Sequence, residues 1–295
     1  MKHPSFTGTG VALVTPFKKD ESIDFRALSD VVDHVINNGV EYLVALGTTG
    51  ETPVLSREEQ LAVVRHIMEV NKGRVPLVVG MGGNNTSALI ENIKSWDFKG
   101  IDAILTASPH YNKPSQKGIF SHYMAIAEVS PLPIIIYNVP SRTGSNISAE
   151  TTLSLASESE KFMGIKEASG DMNQLMKIAA GKPENFLLIS GDDALTLPMI
   201  SLGGACAISV IGNAFPRQFS EMVRLAISNR WDDARRIHFS LLEIIEQLFA
   251  EGSPSGIKAA LNILNICENY VRMPLAPVSR ATYSRLSELI KSIPI

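Results

Sequence analysis

A lysine interrupts an apolar run in FMGIKEASGD, residues 162–171, where Phe162, Met163 and Ile165 read as a buried strand and Lys166 follows them. An ammonium in that place is costly unless it is paired, neutral or needed for chemistry. The neighbouring Glu167 offers the pairing reading, with the lysine stem packed and its head reaching solvent. The reactive reading is a nucleophilic amine. Burial that takes a lysine from a pKa of ~10.4 to about 7.5 raises its neutral fraction at pH 7 from roughly 0.04% to about 25%. A free amine condenses with a ketone to an iminium, which withdraws electrons and acidifies the adjacent carbon, so that neither a metal nor a cofactor is required.

Other residues fit around such an amine. Tyr137 ends the apolar run IIIY, residues 134–137, and is either a packed ring with a satisfied hydroxyl or a phenol that relays protons during iminium formation. Thr48 and Tyr111 could pass those protons on to water. The segment LGTTGET, residues 46–52, supplies the hydroxyls of Thr48 and Thr49 and turn amides suited to a carboxylate, although Gly- and Thr-containing turns are common without such a role. Arg142 is either a surface arginine or a clamp for the carboxylate of a second substrate.

Three further features read as structural. Asp192 and Asp193 are explained as helix N-caps after Gly191 more readily than as a magnesium site. GMGGNNTS, residues 80–87, resembles a phosphate cradle only loosely. His3, His34, His66, His110, His122 and His238 show no metal-binding spacing.

The elements that must hold these residues are legible. Apolar runs at residues 11–15, 41–46, 76–80, 102–107, 133–137, 164–168, 186–190 and 205–210 read as strands, near-continuously hydrophobic as when both faces are covered. Helical spacing lies between them, as in Phe25, Leu28, Val32, Val35 and Ile36. Ser56 with Glu59 predicts a capping box, and Thr86, Ser148 and Asp171 predict further N-caps. Strands alternating with helices predict an α/β fold, a (β/α)8 TIM barrel, with an open doubly wound sheet as the alternative. The barrel is expected over residues 1–225, with a C-terminal helical appendage over residues 226–295 built from helices near 219–228, 231–250, 255–269 and 279–291. In such a barrel the chemistry collects at the carboxyl ends of the strands. Lys166, Tyr137, Thr48, Thr49, Tyr111, Arg142, Gly191 and Ile208 all lie at or just beyond such ends.

Composition narrows the function classes. Lys+Arg 27 against Asp+Glu 30 leaves no basic excess to hold a phosphate backbone, which argues against nucleic acid. Cys206 and Cys267 are too few for a disulfide framework and fit a reducing cytoplasm. The start MKHPSFTGTG lacks a signal-peptide core, and no apolar run approaches the roughly 18 residues of a membrane span.

Together GTTGE at 47–51, YNVPSRTG at 137–144 and GIKEASGD at 164–171 resemble the dihydrodipicolinate synthase family over nearly the whole chain. The resemblance implies a barrel assembled as a homotetramer, a dimer of dimers. It implies condensation of pyruvate with aspartate semialdehyde on the route to diaminopimelate and lysine. Lys166 would then form the pyruvate iminium, with Tyr137, Thr48 and Tyr111 as proton relay and Tyr111 supplied by the neighbouring subunit. Thr49 would hold the pyruvate carboxylate and Arg142 that of the semialdehyde, while Gly191 and Ile208 would line the pocket through their backbone. N-acetylneuraminate lyase and other keto-acid aldolases share barrel and lysine, so fold alone leaves the substrate open; Arg142 argues for the synthase. The family's lysine feedback site is matched at Asn84, but Arg57, Ala88 and His110 depart from it, which implies weak or absent inhibition by lysine.

Overall fold

The computed structural model describes residues 6–293, so that His3 lies outside the described residues. The strands are β1 Gly8–Ala12, β2 Tyr42–Ala45, β3 Leu77–Gly80, β4 Ala103–Ala107, β5 Ile134–Asn138, β6 Phe162–Glu167, β7 Leu187–Ser190 and β8 Cys206–Ser209. They pair in parallel, in chain order, and close into a barrel where Gly8 of β1 meets Cys206 of β8. Both faces are covered: Ile134 and Ile136 face the surrounding helices, whereas Ile135 and Tyr137 belong to the barrel interior. That period-two division explains why the strands read as unbroken apolar runs.

The helices are α1 Phe25–Asn37, α2 Arg57–Asn71, α3 Thr86–Lys94, α4 Gln116–Val129, α5 Pro140–Thr143, α6 Ala149–Glu158, α7 Met172–Gly181, α8 Thr196–Ser201, α9 Pro216–Ile227, α10 Trp231–Phe249, α11 Ser255–Ile263 and α12 Arg280–Ser292. Ser56 and Glu59 form the expected capping box, and Ser148 and Asp171 cap α6 and α7. After β8, α9 lies against β1 and completes the surround of the barrel, α10 packs on α9, and α10, α11 and α12 pack on one another.

Four expectations are corrected. β1 begins at Gly8 rather than at residue 11, because its glycines carry no apolar signal. They are needed there: a Cβ on Gly10 would lie 2.1 Å from the ring of Tyr42, whose hydroxyl donates across the barrel to the Ala207 carbonyl at 2.9 Å. The cap of α3 is Asn85, which accepts from the Ala88 amide, and Thr86 is already inside the helix. α11 ends at Ile263 rather than near 269, since Asn265 turns left-handed at φ 59° and the Asn262 side chain bonds the Cys267 carbonyl.

Asp192 and Asp193 cap no helix, because α8 begins later and its preceding residue, Leu195, makes no side-chain cap. Asp192 accepts from the Ala194 amide, and the buried Asp193 accepts from the amides of Val210 and Ile211 at 3.0 and 2.8 Å, pinning the turn after β8. Burial raises the Asp193 carboxyl above the usual range. Cys206 and Cys267 are buried free thiols whose burial pushes each up to about 12.

Candidate active site

Register places the two central residues side by side. Tyr137 on β5 pairs with Lys166 on β6, and Lys166 pairs in turn with Ile189 on β7. Both are buried, and the Lys166 Nζ lies 4.4 Å from the Tyr137 ring centroid, over its face. Alternation along β6 sends the next residue outward, so Glu167 does not pair with Lys166. Its carboxylate accepts instead from Asn138 Nδ2 at 2.9 Å, Gln174 Nε2 at 2.8 Å and the Ser169 amide at 2.7 Å. Asn146 extends this network to Asn138 and Gln174 and closes the base of the loop that carries Arg142. The pairing explanation for Lys166 therefore fails, and the amine is left facing an aromatic ring inside the barrel.

Gly191 makes room for that lysine. Its amide donates to the Glu167 carbonyl at 2.8 Å, and a Cβ there would stand 3.0 Å from Lys166 Cε and 2.8 Å from Ala168 Cβ. Ile208 on β8 is buried in the interior cluster that also holds Tyr137, Met163 and Ile189.

Beside Tyr137 opens a cavity of about 380 Å³. Thr48 lines it from the turn after β2, Gly80 to Gly83 from the loop after β3, Ser108 and His110 from the loop after β4, and Arg142 from α5. The glycines of GMGGNNTS thus form one wall of the mouth. Gly80 is required by close approach, since a Cβ there would fall 2.1 Å from the Leu46 carbonyl oxygen. Lys166 lies against the Tyr137 ring and is not itself part of the lining. Thr49 is buried in the turn Thr48–Gly50 behind the wall, whereas Arg142 is exposed. Tyr111 stands apart: it is 87% exposed, a left-handed residue (φ 74°) whose amide donates to the Thr143 carbonyl at the rim.

Sequence reasoning missed what holds the Thr48–Gly50 turn. The buried Glu51 pairs with the buried Lys258 of α11 and also accepts from the Arg272 amide at 3.0 Å. Lys258 carries the same signal that singled out Lys166, a lone cation in an apolar stretch, GIKAAL, but spacing alone could not name its partner. Among the described residues no cluster of His, Cys, Asp or Glu is placed to hold a metal, and no helix is long and apolar enough to cross a membrane.

Fold and site together define a (β/α)8 protein with a buried lysine and a tyrosine at adjoining strand ends, the tyrosine lining a cavity that an arginine also lines. Residues 5–293 match the model of the dihydrodipicolinate synthetase family. The chain is 50% identical over 288 residues to the 4-hydroxy-tetrahydrodipicolinate synthase of Parabacteroides distasonis, covering 98% of this chain and 97% of that one. It is likewise 50% identical over 289 residues to the synthase of the same name from Flavobacterium psychrophilum, covering 98% and 99%. A solved structure of the Acinetobacter baumannii dihydrodipicolinate synthase complexed with pyruvate superposes with a TM-score of 0.94 at 36% identity, covering 97% of this chain and 98% of that one. The chain belongs to the dihydrodipicolinate synthetase family.

Proposed function

We infer that this chain is a lyase acting as a 4-hydroxy-tetrahydrodipicolinate synthase, condensing pyruvate with L-aspartate 4-semialdehyde in diaminopimelate and lysine biosynthesis. The observation that carries the reading is Lys166, buried without a carboxylate partner among the described residues and set over the Tyr137 ring. The deprotonated amine attacks the pyruvate keto carbon, and loss of water leaves an iminium. Release of a methyl proton gives an enamine, whose carbon adds to the aldehyde of the second substrate. Hydrolysis or internal attack by the product's amine then frees the lysine.

Tyr137 adjoins Lys166 and moves protons to and from the departing oxygen, with Thr48 as the next hydroxyl at the mouth. Thr49 and the turn amides hold the pyruvate carboxylate, while Gly191 and Ile208 shape the pocket around Lys166. Tyr111 completes the relay in a neighbouring subunit's site, which its outward, water-facing ring supports. The working form is a dimer of dimers in the cytoplasm.

Borohydride reduction with pyruvate tests the reading: Lys166 should gain the mass of the reduced adduct. Wild-type protein that turns over pyruvate and the semialdehyde with Lys166 unmodified would sink it. Competing the semialdehyde with N-acetylneuraminate and sugar keto-acids in one assay identifies the acceptor.

Arg142 lines the cavity from an exposed position, where a guanidinium can meet an incoming carboxylate in bidentate fashion. Arg142→Ala is expected to lower kcat/KM for the semialdehyde by at least about tenfold while pyruvate trapping persists. Unchanged semialdehyde kinetics would remove the clamp.

Inhibition by lysine is expected to be weak. Arg57, a cation at a position the resemblance assigns to the feedback site, lies over the Trp96 ring at 4.5 Å and donates to Ser95 Oγ, and Ala88 supplies no carboxylate. Half-inhibition at submillimolar lysine would refute this.

A further inference from the structure

The buried charges at the junction of barrel and C-terminal helices have a geometry that the proposed chemistry does not use directly. Glu51 ends the GTTGE segment in left-handed conformation (φ 56°, ψ 34°) and is 3% exposed. A non-glycine residue holds that conformation only against steric strain, and such residues persist where their surroundings over-determine them.

The surroundings here come from far along the chain. Lys258, 207 residues away, donates to Glu51 Oε1 and at 2.8 Å to the Tyr270 carbonyl, with its Nζ 4.1 Å from the Phe17 ring centroid. Arg272 gives its amide to Glu51 Oε2 at 3.0 Å and places its guanidinium 4.5 Å from the same Phe17 ring. That guanidinium also bridges both oxygens of Glu59 and the carbonyls of Glu21 and Val54. The loops after β1 and β2 are thereby fastened to α11 and the segment that follows it, the first through Phe17 and the Glu21 carbonyl and the second through the Glu51 carboxylate, next in the chain to the Thr48–Gly50 turn.

We propose that Glu51, gripped by Lys258 and the Arg272 amide, is a positioning residue that presets the Thr48–Gly50 turn to receive the carboxylate of the keto-acid substrate, so that the C-terminal helices form part of the substrate-recognition apparatus. This rests on the pyruvate reading above and assigns the turn's rigidity a recognition role. A merely structural ion pair would weaken every ligand of Lys166 alike. A preset carboxylate cradle makes a narrower demand: losing the grip penalises anionic ligands selectively.

The test uses reductive trapping on full-length protein, titrating pyruvate and, separately, methyl pyruvate, which keeps the ketone and lacks the anionic carboxylate. The variants are Glu51→Gln, Lys258→Met and the two combined, with melting followed in parallel. Removing one partner strands a buried charge, whereas the double variant removes both and should fold when a single variant does not. In each folded variant the half-saturating concentration of pyruvate is expected to rise about tenfold relative to that of methyl pyruvate. A folded double variant in which both ligands shift equally, or neither shifts, overturns the proposal. Failure of wild-type protein to trap pyruvate at all would instead overturn the Schiff-base reading itself.

Discussion

Lys166→Ala should lose condensation activity by at least about 1,000-fold and should not be reductively labelled, because among the described residues no other lysine lines the cavity beside Tyr137 to supply the nucleophile. Lys166→Arg should be equally inactive, since a guanidinium keeps its proton and cannot form the carbon–nitrogen bond. Stability should move the other way. The amine is buried, and among the described residues its contact is the face of the Tyr137 ring rather than a hydrogen-bonding group, so the folded state carries an incompletely compensated polar group. Lys166→Met keeps most of the stem volume and removes that polar group, and its unfolding free energy should rise by about 1–2 kcal/mol. Activity assays and calorimetry on the same preparations check both directions. A Met variant that is less stable than wild type would mean that the lysine is a packing residue after all.

Glu167→Leu should be among the most destabilising single changes at the mouth. Three neutral donors converge on this carboxylate: the side-chain amides of Asn138 and Gln174 and the backbone amide of Ser169. A hydrocarbon in its place leaves the Ser169 amide without its acceptor and the Asn138 and Gln174 side-chain amides with Asn146 Oδ1 alone, at about 1–3 kcal/mol for each bond lost before any relaxation, so a total loss of roughly 3–6 kcal/mol is expected. Glu167→Gln keeps an acceptor oxygen but turns an NH2 toward other donors, and its loss should be smaller, near 2 kcal/mol. Chemical denaturation measures both. Equal effects of the two substitutions would show that side-chain volume, rather than hydrogen bonding, is what the site needs. Activity should fall as well, because Asn138 follows Tyr137 and Glu167 follows Lys166 on paired strands, so the outward network steadies the inward pair.

The barrel was legible because burial on both faces writes each strand as a short apolar run, and seven of the eight runs overlie their strands closely. β1 was misplaced for a steric reason: Gly8 and Gly10 belong to the strand through what they leave empty, and hydrophobicity does not register an absence. Helix starts were read from cap chemistry. That method erred where Asn85 and Thr86 stood together and the earlier residue took the cap. The central pair of the site was visible because an ammonium and a phenol at the ends of apolar strands are each anomalous. The supports were not visible: Glu51 finds Lys258 across 207 residues, and Glu167 finds Gln174 only once β6 turns into α7. A charge in an apolar stretch announces that a partner exists; identifying the partner requires the chain path.

On the proposed role of the 87% exposed Tyr111 in a neighbouring subunit's site, catalysis is tied to mass action. A phenol that serves only the adjoining protomer makes specific activity a function of enzyme concentration, so serial dilution should reveal a threshold below which turnover per chain drops while circular dichroism stays constant. Heterodimers mixed from Tyr111→Phe and Lys166→Ala chains should then recover part of the activity that neither parent has alone.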